Sequence, residues 1–201
     1  MQAQGAQGPG AVPRLILASA SPRRRELLRT LGIPFEVVTA PVEEHLGEQL
    51  TGRETALGNA HRKALAVARQ FPDCVVLGAD TVVCLGAVQF AKPADLDEAA
   101  RFLQALAGRT HEVITGVCLL QLRPFRRRLF SDTSLVTFKP LNPEQIAAYH
   151  ARVNPLDKAG AYAIQEEGDR IIERVEGSWS NIVGLPLERL REELAAGWPE
   201  W

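Results

Sequence analysis

The chain has 201 residues, 46% of them hydrophobic, enough to bury a core without disulfide or metal staples. Its 23 basic and 24 acidic residues leave a formal charge of −1, so no global field draws it to nucleic acid or to an anionic membrane. Any attraction for phosphate must be local, and neither a membrane partner nor a stable nucleic-acid partner is expected.

In chain order, residues 1–13 are Gly-, Gln- and Ala-rich with no basic start or apolar stretch, so they make no secretory signal and read as a disordered tail. A single domain is expected over 14–201. It opens with a short strand, Leu15 to Ala18, then a helix capped by Ser21, begun at Pro22 and stopped at Gly32. Phe35 to Thr39 reads as a second strand, completing a βαβ unit and pointing to an α/β protein. Helical spacing of Ala56, Leu57, Ala60, Ala64, Leu65 and Ala68 predicts a helix over Arg53 to Gln70. The run CVVLGAD then predicts a doubly buried strand with Asp80 at its carboxyl end, where open α/β sheets bind ligands.

Asp95 and Glu98 have capping-box spacing for a helix through Leu106. Val113 to Leu122 and Leu129 to Phe138, joined by RPFRR, form a predicted hairpin. Asn142 and Pro143 start a helix to His150, an irregular glycine-punctuated stretch follows, and an amphipathic helix closes at Leu187 to Ala195. No apolar run approaches bilayer length. Cys74, Cys84 and Cys118, odd in number and set in apolar runs, look like reduced cytosolic thiols, and the four histidines lack zinc-ligand spacing. A cytoplasmic location is expected.

Three segments carry candidate chemistry. In SASPRRRELL, residues 19–28, a turn feeding a helix start offers free N–H groups beside Arg23, Arg24 and Arg25, a combination suited to phosphate. Arg25 by itself reads as solvated. GADT, residues 78–81, with Lys92 beyond a predicted hairpin, places a carboxylate able to hold a cation or take a proton near an ammonium. A turn aspartate capping amides is an equally good account of that segment alone. Glu43 and Glu44 offer hard oxygen ligands but read as solvated loop residues, and Lys63 as a helix-surface lysine. In DKAGAYAIQEEG, residues 157–168, small residues allow close backbone approach and Gln165 offers an amide to a base edge.

SASPRRRELL, GADTVV, Lys92-Pro93, GRTHEVITGV and KAGAYAIQ, in this order, resemble the Maf family of nucleotide pyrophosphatases from Leu15 to about Leu187. The resemblance implies a two-lobed twisted α/β fold similar to the inosine triphosphate pyrophosphatases, with the cleft between the lobes, often as a homodimer. It implies a nucleoside triphosphate substrate, a divalent cation (Mg²⁺ or Mn²⁺) held by Asp80 and Glu44, and hydrolysis to a monophosphate and pyrophosphate. Asp80 matches the general base, Arg23, Thr81 and Gln165 match positions linked to substrate choice, and Ser19, Arg24, Glu44, Lys63 and Lys92 match other cleft residues. KAGAYAIQ followed by SNIVGLPL resembles the branch acting on dTTP and UTP. Glu166 and Glu167 stand where that branch has glycine, adding negative charge beside the base pocket, and Ala163 also replaces a glycine. Whether Asp80 chiefly moves a proton or holds the metal stays open. The family's older name as septum-formation inhibitors, with Arg126, Arg127 and Arg128, motivates the alternative of a non-enzymatic nucleotide or nucleic-acid-binding regulator of cell division; stepwise release of orthophosphate is a third.

Overall fold

The computed structural model describes residues 14–44 and 49–198. The expected N-terminal tail lies outside them, as does His45. Seven strands, β1 (Leu15–Leu17), β2 (Phe35–Val37), β3 (Val75–Leu85), β4 (Val88–Phe90), β5 (Thr110–Leu122), β6 (Phe125–Phe138) and β7 (Ile172–Glu176), form one mixed sheet. Its order is β2-β1-β3-β5-β6-β7, with β4 paired to the far half of β3. The helices are α1 (Pro22–Arg29), α2 (Gly52–Ala68), α3 (Leu96–Leu106), α4 (Pro143–His150), α5 (Trp179–Val183) and α6 (Leu187–Ala195). This is the α/β class expected, opened by the expected parallel β1-α1-β2 unit. Among the described residues no helix is long and apolar enough to cross a membrane.

Strand alternation assigns the two faces of the sheet. On one face, Val76, Cys118 and Leu120 pack with Ala60, Ala64 and Val67 of α2, and Val82, Cys84 and Ile114 pack with Ala56. On the other face are two clusters. Leu77, Ala79, Val117 and Leu119 meet Leu28 of α1 and Leu190 of α6. Val83, Val113, Val136 and Phe138 meet Leu103 of α3, Ile146 and Tyr149 of α4, and Tyr162. These two clusters lie side by side along that face of the one sheet.

Helix α2 lies directly on the sheet backbone, because the residues between them have almost no side chain. A Cβ on Gly78 would sit 2.2 Å from the Ala60 carbonyl oxygen, and one on Gly116 2.5 Å from the Ala56 carbonyl carbon. The stripe of Ala56, Ala60 and Ala64 completes the close approach. Thr51 and Glu54 cap the helix reciprocally, a box worth about 1 kcal/mol.

Several boundaries differ from expectation. Asp80 is not at the end of its strand: β3 runs five residues further, to Leu85, because VVCL finds partners in both β4 and β5. The arginine run is not in the hairpin turn. Residues 123 and 124 make the turn and β6 starts at Phe125, so alternation sends Arg127 to the face opposite Arg126 and Arg128. That divides the basic cluster which motivated a nucleic-acid-binding reading. Strand β2 ends at Val37, and the Asp95 box is only half made: Asp95 accepts from Glu98 N–H, while Glu98 accepts from Ala94. All three cysteines are free thiols, with Cys74 only partly buried.

Candidate active site

The cleft arises from a gap in the sheet. Beside β3, β1 pairs only as far as Leu17 with Leu77, and β4 begins pairing only at Phe90 with Val83. β1 runs parallel to β3 and β4 antiparallel, so their carboxyl ends face each other across residues 78–82, with which neither of them pairs. A crevice outside the carboxyl ends of strands is where α/β sheets bind ligands, and here it has a volume of about 650 Å³. Asp80 and Thr81 lie at its floor on opposite faces of β3.

Asp80, buried, is held on both oxygens. Lys63 Nζ donates to Oδ1 at 2.6 Å, and Asn59 Nδ2 donates to Oδ2 at 2.9 Å. Both come from α2, one turn apart, delivered by its contact with Gly78 and Gly116. Lys63 also pairs with Glu44 at 2.7 Å. Burial works to raise the Glu44 carboxyl, but the Lys63 hydrogen bond and the charges of Lys63, Lys92 and Arg24 outweigh it and hold the group below its ordinary range. One ammonium thus bridges two hard carboxylates.

On the other face, Arg24 is spread over three oxygens: Gly184 O at 2.8 Å, Thr81 Oγ1 at 2.9 Å and Ser19 Oγ at 3.4 Å. Desolvation lowers its pKa, with Asp80 opposing that shift, yet a guanidinium stays charged. Its hydrogen-bond partners are all neutral, so its charge is left for an anion entering the cleft. Thr81 continues through Thr115 Oγ1 at 2.9 Å to Asn181 O, tying this corner to α5. Ser21 caps α1 by accepting from Arg24 N–H, so the same turn starts the helix and fixes the guanidinium.

The opposite wall is the 157–165 segment. Gly160 N–H donates to Ala91 O, pinning that segment to the end of β4, one residue before Lys92. Lys158, buried, donates to Asn154 O and Asp157, both at 2.8 Å, and pairs with Glu166 at 3.4 Å. Arg23 reaches Asp157 across the cleft mouth at 3.8 Å. Within this wall, Tyr162 shares a 2.8 Å hydrogen bond with buried His111, and both rings pack edge-on against Phe138.

Every expected site residue lines this one cleft: Ser19, Arg23, Arg24, Glu44, Lys63, Asp80, Thr81, Lys92 and Gln165. Arg25 is exposed and outside it. Glu166 and Glu167 are not among the lining residues; Glu166 pairs with Lys158, and Glu167 with Arg170 and Arg152. Five cations, Arg23, Arg24, Lys63, Lys92 and Lys158, face three carboxylates, Glu44, Asp80 and Asp157, so the lining is net positive in a chain of charge −1. Asn59, Thr115, Lys158 and Asn181 join the site without a role expected from sequence. Only Asn59 left a usable signal, lying four residues before Lys63 and hence on the same side of a helix.

The model of the family described as Maf-like protein matches residues 14–197. The chain belongs to the Maf family. Among similar proteins, the dTTP/UTP pyrophosphatase of Deinococcus radiodurans is 50% identical over 175 residues, covering 87% of this chain and 88% of that protein. The dTTP/UTP pyrophosphatase of Bacillus velezensis is 44% identical over 181 residues, covering 90% and 95%. Among solved structures, the Staphylococcus aureus Ham1 protein shares the fold with a TM-score of 0.53 at 14% identity, covering 90% of this Maf chain and 98% of its own.

Proposed function

We propose that this Maf-family chain hydrolyses dTTP and UTP between the α and β phosphates, giving the nucleoside monophosphate and pyrophosphate. The observation that carries the reading is the position of Asp80: a buried carboxylate fixed by Lys63 and Asn59 at the floor of a net-positive cleft, with Gln165 on the wall across from it. The names of the relatives at 50% and 44% identity support the substrate class.

Arg23, Arg24 and Lys92 bind the triphosphate oxygens and spread the charge that grows on the leaving pyrophosphate. Asp80 takes a proton from water as its oxygen attacks the α phosphorus in line; the bond to the bridging oxygen breaks and pyrophosphate leaves with the electron pair. Lys63, already on Asp80, orients that carboxylate. Gln165, whose amide both donates and accepts, reads the polar edge of the pyrimidine, with Tyr162 as the adjoining wall.

The donor set suits a divalent cation. Asp80 and Glu44 share one ammonium at 2.6 and 2.7 Å, so their oxygens already converge on a single positive charge. Magnesium is commonly held by one or two carboxylates plus substrate phosphates. Asp80 and Glu44 would hold Mg²⁺ or Mn²⁺, which supplies Lewis-acid polarisation of a phosphoryl oxygen. The reduced thiols and a free nucleotide substrate fit a cytoplasmic protein.

The test is incubation with dTTP, UTP, CTP and GTP plus Mg²⁺ or Mn²⁺ in ¹⁸O-labelled water. Label in the monophosphate, with intact unlabelled pyrophosphate, is the expected result. Orthophosphate and a diphosphate as first products, or no hydrolysis, would overturn the reading.

A further inference from the structure

Asp80 Oδ2 is held by an amide whose orientation is itself determined. Asn59 is almost fully buried; its Oδ1 accepts from Arg62 Nη2 at 2.6 Å, and its Nδ2 donates to Asp80 at 2.9 Å. A guanidinium has donors only, so whichever amide atom faces Arg62 must be the oxygen. The nitrogen is then forced toward Asp80. With the amide reversed, Nδ2 would face a cation and Oδ1 a carboxylate, two repulsive contacts in place of two hydrogen bonds.

We infer that Asn59, set by Arg62, is a positioning residue for Asp80, acting with Lys63 to hold the carboxylate by both oxygens. This rests on the reading of Asp80 as the group that activates water. A carboxylate with only one oxygen anchored can still turn about its χ2 bond, which has a broad profile. The second anchor removes that rotation. Each oxygen has two lone pairs, and Asn59 and Lys63 each use one. Among the described residues one lone pair per oxygen therefore remains, at a fixed bearing, for a water or a cation.

The relay is local to α2. Asn59, Arg62 and Lys63 fall within two turns, and Gly78 sets how close they come to β3. Arg62 is not in the cleft lining and touches Asn59, so the relay assigns its effect on turnover to the amide, which the double variant with Asn59→Leu checks.

The test uses the full chain with dTTP, reading kcat, KM and thermal midpoint for Asn59→Leu, Asn59→Asp, Arg62→Met and Asp80→Asn, and for the doubles of Asn59→Leu with each of the last two. Asn59→Leu is expected to lower kcat about tenfold to 10²-fold, the usual worth of a hydrogen bond to a charged group, with KM within about twofold. Asn59→Asp, of the same shape but with an acceptor facing Asp80, loses more. Arg62→Met loses about three- to tenfold, and nothing further once Asn59 is Leu. In the Asp80→Asn background, Asn59→Leu has less than about a twofold effect, because no base is left to orient.

Wild-type kcat in Asn59→Leu and Asn59→Asp, with Asp80→Asn impaired, overturns the positioning role and leaves the Asp80 assignment standing. A loss from Asn59→Leu that is undiminished in the Asp80→Asn background overturns it as well. Near-normal kcat in Asp80→Asn refutes the assignment of Asp80 itself. Should Asn59→Leu fail to fold, Asn59→Asp and Arg62→Met decide the matter.

Discussion

Adding one methyl group at Gly78 tests the link between the fold and the site. The new Cβ would lie 2.2 Å from Ala60 O, 2.8 Å from Ala64 N and 3.0 Å from Ala64 Cβ. Two of these are backbone atoms of α2, so no rotamer change relieves the clash. The helix must retreat from β3 by roughly 1 Å to restore van der Waals contact. Overpacking of this kind costs about 1–3 kcal/mol, which at about 2–4 °C per kcal/mol for a chain this size lowers the melting midpoint by roughly 2–12 °C. The larger effect is catalytic. Asn59 and Lys63 move with the helix while Asp80 stays on the strand, and a misplacement near 1 Å can cost about 10²-fold in turnover. Gly58→Ala supplies the contrast on the same helix. Its Cβ meets only the Arg62 guanidinium, at 3.7 Å, so the helix-propensity gain of about 0.5–1 kcal/mol is expected to raise the midpoint. Scanning calorimetry and steady-state dTTP hydrolysis on both variants are the assays. An unchanged midpoint together with unchanged turnover in Gly78→Ala would refute direct packing of α2 on the strand.

Other outcomes follow from the same geometry. Asp80→Asn is expected to lower turnover by about 10²-fold or more, the usual worth of a general base, in a product-release assay. Burial of His111 pushes its pKa down to about 4, below the ordinary 6.5 of the unfolded chain. Above pH 6.5 both states are neutral; as the pH falls toward 4 only the unfolded chain takes the proton, so about 3 kcal/mol of stability is lost in that window. Denaturant titrations of wild type and His111→Gln between pH 4.5 and 7.5 should diverge there, and parallel curves would reject the assignment. Gln165→Ala should reduce discrimination between dTTP and CTP by about tenfold while hydrolysis persists, measured as a ratio of kcat/KM values. Chelation of divalent ions should abolish turnover without lowering the melting midpoint, since Lys63 already bridges Asp80 and Glu44; a falling midpoint would mean the metal holds the fold.

Local chemistry was legible in the chain. The Ser21 cap, the Asn142 start and the final helix at Leu187–Ala195 fall where their residues predict, because caps and helical periodicity act over a few residues. The grouping of the site residues is legible too, but only through resemblance: the residues by themselves describe Asp80 equally well as a turn cap, and Lys63 and Glu44 as ordinary surface side chains. What the tertiary structure decided is the reason they act together. An apolar run ending in aspartate looks like a finished strand, and only the pairing partners of Val82 to Leu85 reveal that β3 continues and that the cleft is a gap between the ends of β1 and β4. Glu166 looks like a charge beside the base pocket until Lys158 is seen to take it. Asn59 looks like a polar interruption in an alanine stripe until Gly78 and Gly116, far away in sequence, let the helix down onto the sheet and bring its amide to Asp80. The sequence determined the segments, whose energetics are short-range; the distances between their side chains depend on how closely separate segments pack, which no single stretch of chain encodes.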